Sequence, residues 1–268
     1  MDYATANALR NADEGASMNE GQHYFVYSSD VVIPAGIGSK IQDEIKIQSD
    51  SYFDIQRIYV VDNGAFKVTL RDSYLNYAWQ SDPVHRDNLC GTPEFPAFLL
   101  DPVLMPPNTS IFLEYENLVA GANALQLVFE GSRRFGPKFP SDAELSDRSR
   151  KRWFQYVYDV NIPANAIKTF VEQINADSFF LCKKLMAVKT GDATLRMAIS
   201  TLGNRNLSDR RINLDNIFGR ALRPNALPRN QRVPLGPNST IQFEVEDLSG
   251  APNDLQLCFE GVKSWRRA

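Results

Sequence analysis

Residues 106–135 read PPNTSIFLEYENLVAGANALQLVFEGSRRF, and residues 236–265 read GPNSTIQFEVEDLSGAPNDLQLCFEGVKSW. They align without a gap at an offset of 130, with 13 of 30 positions identical; average residue usage would give roughly two. Within each segment apolar residues alternate with polar ones. Ile241, Phe243 and Val245 fall on one side, and Gln242, Glu244 and Glu246 on the other. Leu255, Leu257 and Phe259 alternate likewise, as do Leu125, Leu127 and Phe129. A period of two is the mark of a strand with one face buried. Residues 248–253, Leu-Ser-Gly-Ala-Pro-Asn, separate the two strands with turn chemistry.

Working outward, FVYSSDVVIPA at 25–35 matches FQYVYDVNIPA at 154–164 in seven of 11 positions, at an offset of 129. Asp50-Ser51 and Phe53 match Asp177-Ser178 and Phe180 at an offset of 127. The drifting offset predicts small insertions in surface loops. The chain therefore reads as an internal duplication, with units at 25–135 and 154–265, each long enough for its own core. Residues 136–153, GPKFPSDAELSDRSRKRW, have linker composition, and residues 1–24 form a polar N-terminal arm with a marginal helix over 2–13.

Short strands, polar turns and weak helical periodicity predict an all-β protein of two tandem antiparallel β-sandwich (jelly-roll) domains. No Cys…Trp…Cys pattern favours an immunoglobulin type. Val60 to Ala65 reads as a hairpin built on Asn63-Gly64.

Composition limits the functions. The 268 residues are 43% hydrophobic and 23% charged with net charge −3, so neither disorder nor a global basic field for nucleic acid is indicated. No apolar run reaches the roughly 18 residues of a membrane helix, and the first residues lack a signal-peptide core. Cys90, Cys182 and Cys258 are far apart and odd in number, which predicts free thiols and a reducing compartment. Only His23 and His85 are present, and there is no HxH, GxGxxG or GxxxxGK[ST] pattern. A cupin-type metal site, a triad and a phosphate loop are disfavoured. His85 stands five residues from Cys90, but a loop histidine and a buried thiol are the expected roles. Asp50-Ser51 and Asp177-Ser178 read as turns rather than ion sites. The duplicated pairs Glu114/Glu116 and Glu244/Glu246 read as an outer strand face rather than a hydrolytic cleft.

The long loops differ in chemistry. Residues 73–105 carry Tyr74, Tyr77, Trp79, Phe95 and Phe98. Residues 203–232 carry seven arginines, among them Arg205, Arg210, Arg211, Arg220 and Arg223, against two aspartates. Unit 25–135 has 14 acids and eight bases, net −6; unit 154–265 has 11 acids and 13 bases, net +2. Aromatics and arginine are enriched at protein interfaces, and unlike charge favours ordered association. These ten residues are the candidate subunit interface.

The repeated closing strands LQLVFEGSRRF and LQLCFEGVKSW, with the D-V-x-I-P-A openings, resemble jelly-roll virion proteins of double-stranded DNA bacteriophages, of the cement or decoration kind. The fused pair is also similar to double jelly-roll major capsid proteins of membrane-containing icosahedral viruses. The resemblance implies a non-enzymatic virion protein assembled in the host cytoplasm, without cofactor or metal. Its implied partners are other capsid proteins and copies of itself, not a membrane or small-molecule substrate, with nucleic acid disfavoured. A tandem carbohydrate-binding module, stacking sugars on Tyr74, Tyr77 and Trp79, is the alternative from another class.

Overall fold

The computed structural model describes residues 21–200, 205–206 and 208–265. The arm expected at 1–24 lies outside the described residues except for its last four positions. The first half contains β1 (Gln22–Ile33), β2 (Lys40–Lys46), β3 (Tyr52–Asp62), β4 (Phe66–Asp72), β5 (Tyr77–Ala78), β6 (Val84–His85), β7 (Ala97–Met105), β8 (Ser110–Asn117) and β9 (Asn123–Arg134). The second contains β10 (Lys151–Ile162), β11 (Ile167–Gln173), β12 (Phe179–Lys189), β13 (Ala193–Ile199), β14 (Arg205–Asn206), β15 (Ile212–Asn213), β16 (Asn225–Ala226), β17 (Val233–Leu235), β18 (Thr240–Asp247) and β19 (Asn253–Ser264).

Four antiparallel sheets result. In the first half β1-β9-β3-β7 faces β2-β8-β4-β5, with β6 also on β4. In the second, β10-β19-β12-β16 faces β11-β18-β13-β14, with β17 on β12 and β15 on β13. The main strands alternate between the two sheets of each sandwich, β1 to β4 and β7 to β9 in the first and β10 to β13 and β17 to β19 in the second, which is the jelly-roll pattern. The expected hairpin at Asn63-Gly64 is corrected on this point. β3 and β4 lie in opposite sheets, so the turn bridges the sandwich instead of extending a ladder. It is pinned there by Asn123, whose amide donates to the carbonyls of Gly64 (2.8 Å) and Ala65 (3.1 Å).

The halves repeat in detail as well as in order. Phe25 opposes Gly131 on β1/β9, and Phe154 opposes Gly261 on β10/β19. Both β3 and β12 carry a bulge, between Ile55 and Arg57 and between Cys182 and Lys184. The glycine lies beside it in each case. A Cβ on Gly131 would collide with the Asp54 carbonyl, and one on Gly261 with that of Leu181. Tyr27 and Tyr156 each accept a main-chain N–H at 3.1 Å, from Gln48 and Asn175. Asn108 and Asn238 both sit at φ 58 before β8 and β18, a left-handed conformation that asparagine tolerates.

The long excursions, chemically so unlike, follow one path. His85 caps a one-turn helix, Arg86–Leu89, by accepting the Asp87 N–H on Nδ1 (3.1 Å). Asn213 caps the 3-10 turn Leu214–Asn216 by accepting the Asp215 N–H (3.0 Å). Gly91 and Gly219 then pair with β3 and β12, and tight turns over residues 92–95 and 220–223 follow.

The connection expected at 136–153 holds a 3-10 turn, Gly136–Lys138, then the helix Asp142–Arg150, then the first residues of β10. Ser141 accepts the Glu144 N–H (3.2 Å), acids fill the helix's first turn, and Arg148 and Arg150 its last. That arrangement matches the helix dipole. Arg134 and Arg148 bracket Asp54 and Glu144, which fixes the helix to the first sandwich.

Each sandwich is filled by its own inward stripe, such as Phe53, Phe66, Tyr115 and Phe129 in the first and Tyr156, Phe180, Phe243 and Leu257 in the second. The first core does not stop at its sandwich. It runs through Trp79, Val84 and Leu89 onto Trp153, Val157, Met186, Ala221 and Cys258 of the second half.

Candidate interaction surfaces

That continuation is a seam. The excursion of the first sandwich lies across the outer face of the second sandwich's β10-β19-β12 sheet. Main chain meets main chain where Gln155 N–H donates to Trp79 O (2.9 Å) and Ser81 N–H donates to Gln155 O (3.0 Å). The Gln256 amide oxygen accepts from His85 N–H (2.7 Å) and from the Asn88 amide (3.2 Å). The Gln256 amide nitrogen donates to Pro83 O (3.2 Å) and to Asp159 (2.9 Å). Lys184 and Glu260 form an ion pair (2.8 Å) inside the seam, and Lys184 also donates to Phe98 O. Lys183–Asp101 (2.6 Å), Lys67–Asp159 (2.6 Å) and Arg220–Asp87 (3.4 Å) bridge its rim. Buried polar groups of this kind must be paired to be tolerated, and together they fix one docking pose.

The ten residues expected at a subunit interface divide into groups. Trp79 is 2% exposed, so the expectation that it meets a neighbouring subunit is corrected: its indole N–H donates to Asp72 (3.0 Å), and its ring meets Phe129 and Trp153 edge-on. Tyr77 is likewise turned inward, between Phe154 and Trp265, with the Arg152 guanidinium over its ring, and burial pushes its phenol up. Arg211 folds onto β18 of its own sandwich, pairing with Glu244 (2.6 Å) and Glu246 (3.0 Å). Lys40 does the same service for Glu114 (2.9 Å) and Glu116 (3.7 Å). Arg220 serves the seam. Arg205 takes the main-chain place in β14 that Tyr77 takes in β5; its side chain lies outside what is described. Tyr74, Phe95, Phe98, Arg210 and Arg223 stay exposed. Phe98 lies under the Arg57 guanidinium, 4.5 Å from ring centre.

Sequence reasoning missed the receiving face: Trp153, Gln155, Lys184, Gln256 and Glu260. The signal was present, because Gln126/Gln256 and Glu130/Glu260 are identities at outward positions of a strand, where a solvated surface has no reason to keep them.

His85 is a cap, and its burial pulls its pKa below the usual value. Cys90, Cys182 and Cys258 are free and buried, and burial pushes each thiol up. Asp50 pairs with Arg133, and Asp177 accepts from Ser178 (2.8 Å) with Lys263 3.9 Å away. Among the described residues no group of three or more His, Cys, Asp or Glu is placed to hold a metal, and no helix is long and apolar enough to cross a membrane.

No protein-family model and no curated protein matches the chain. Among solved structures, it is similar to the major capsid protein P2 from Bacteriophage PM2, at 9% identity and a TM-score of 0.44, covering 91% of this chain and 99% of that one. It is also similar to a chain of Sulfolobus Turreted Icosahedral Virus, at 9% identity and a TM-score of 0.44, covering 88% and 90%. A third similar structure is PBCV-1 VP54 fitted into the virophage Sputnik, at 8% identity and a TM-score of 0.38, covering 92% and 97%.

Proposed function

We propose that this chain is a structural protein of an icosahedral virion, a shell-forming subunit in which residues 25–135 and 154–265 are two domains set side by side. The observation that carries this reading is the seam. It joins two unlike surfaces, an excursion and a sheet face, and each sandwich owns one of each. Such a head-to-tail contact, unlike a self-complementary one, leaves one unused surface on each sandwich among the described residues. A protein built this way extends a lateral array of copies and other virion proteins. His85, Asn213 and Ser141 serve as caps, and Asp54, Glu144, Lys184 and Glu260 are held in ion pairs, which suits a passive wall. Fold alone does not set function; the surfaces argue for it.

The cement or decoration role is the second reading. It is favoured by the tips at 92–95 and 220–223, which share a bend but offer Phe95 in one sandwich and Arg223 in the other, as a clamp between unlike neighbours requires. The sugar-binding reading loses Trp79 and Tyr77, which are turned inward.

Purified particles decide among these. A shell subunit is the major protein by quantitative mass spectrometry and fills the lattice in electron micrographs. A cement protein is present in smaller number, at capsomer junctions. Absence from particles would overturn both.

A further inference from the structure

The receiving face of the seam exists twice, and among the described residues only one copy of it is covered. On the second sandwich the covered face presents Asp159, Gln256, Lys184 and Glu260. The same register positions on β1-β9-β3 hold Asp30, Gln126, Arg57 and Glu130. Three of the four are identical and the fourth keeps its charge. The interactions are kept too: Gln126 donates to Asp30 (2.6 Å) as Gln256 does to Asp159, and Arg57 pairs with Glu130 (2.7 Å) as Lys184 does with Glu260. Around this polar core the uncovered face exposes Tyr24 (69%), Val26 (39%) and Val61 (54%). Trp153 and Gln155 occupy the places of Tyr24 and Val26 in the seam, both buried. Exposed aliphatic and aromatic groups clustered on one sheet mark a surface that meets a partner.

The inserting element also exists twice. In the seam it is the His85-capped helix, whose Asn88 donates to the Gln256 side chain and main chain. Its counterpart is the Asn213-capped turn, in which Asp215 and Asn216 repeat Asp87 and Asn88. Asn88 is fully buried; Asn216 is exposed, as is Gln126. An unused key and an unused lock are thus carried on opposite sandwiches, and the Asp30 bond already holds the Gln126 amide in the pose of Gln256.

We propose that the outer face of β1-β9-β3 receives residues 212–219 of a second copy of this chain, with Asn216 of that copy on Gln126, repeating the seam between molecules. One seam bond is not repeated: Ala221 N–H donates to Asp87 O (2.7 Å), whereas Pro93, at the matching place of the first sandwich's turn, has no N–H. The proposal deepens the shell-subunit reading and rests on it only for its setting, since the contact is a property of the purified chain.

The test mixes two single variants of the full chain, Gln126→Cys and Asn216→Cys, under mild oxidation. The native cysteines are buried and stay out of the exchange. A disulfide joining the two different variants is expected, with neither variant alone cross-linking to itself. In parallel, sedimentation over a concentration series is expected to show association, weakened about tenfold or more by Gln126→Arg or Asn216→Arg with the melting temperature unchanged. Monomeric behaviour throughout, or association without the mixed disulfide, overturns the proposal. Particles that contain the chain but never yield the disulfide would refute this contact and leave the virion reading standing. A disulfide-linked assembly from a chain absent from particles would do the reverse.

Discussion

The indoles of Trp79 and Trp153, one from each sandwich, meet edge to face with their centroids 6.0 Å apart. The pair is the point at which the first core crosses the seam. Trp79→Ala removes a fully buried ring from both, and a loss of about 3–5 kcal/mol is expected. Thermal and denaturant unfolding measure it. A loss under about 1 kcal/mol would mean that the seam is not a packed core.

The Lys184–Glu260 pair and its counterpart Arg57–Glu130 have the same geometry and different surroundings. Lys184→Ala leaves Glu260 buried without its cation, which costs about 3–5 kcal/mol, while replacing both members with Met and Leu is expected to be near neutral. Arg57→Ala in the isolated chain costs only about 0–1 kcal/mol, because that pair faces solvent. Chemical denaturation of the variants provides the comparison.

Two pH limbs are expected. Hydrogen bonds from Arg134 hold Glu144 below its ordinary 4.5, a hydrogen bond from Lys40 does so for Glu114, and the Ser249 hydroxyl holds Asp247 below 3.8. Groups with lowered folded pKa values stabilise above their unfolded values and lose that contribution as pH falls through the folded ones. These three groups should therefore withdraw stability below about pH 4.5, while Asp54 and Asp62, raised by burial, work in the opposite sense. His85 acts earlier: burial lowers its pKa from 6.5, so the unfolded chain takes up the proton first and stability begins to fall below about pH 6.5. His85→Asn keeps the cap, as Asn213 does, and should flatten the melting temperature between pH 7.5 and 5.5 without altering the acid limb. An unchanged slope would exclude His85 as its source.

Gly261→Ala places a methyl against the Leu181 main chain at the bulge, and a loss of several kcal/mol or a failure to fold is expected. Gly121→Ala meets nothing within 4 Å and is the control. Equal stability of the two variants by calorimetry would show that the bulge can relax.

Sequence showed the closing strands best. β8, β9, β18 and β19 alternate cleanly because one face of each is buried in its own sandwich, and that signal is local. The excursions hide their likeness for the opposite reason. Residues 73–105 and 203–232 share caps, glycines and turns, but His85 and Asn213 do the same work with different side chains, so the likeness lies in the backbone. Composition marks Trp79 and Tyr77 as interfacial without saying whose surface they meet, and both meet this chain's own second half. Asn63-Gly64 has hairpin chemistry, and only the pairing of β3 with β9 shows that the chain leaves the sheet there.

The helix Asp142–Arg150 has one more consequence. By tethering the sandwiches it gives their contact an effective concentration on the order of millimolar, so the seam needs little intrinsic affinity and tolerates Gln155 at its centre. An untethered contact has no such help and must rely on stickier groups, which accords with Val26 standing on the open face where Gln155 stands in the closed one.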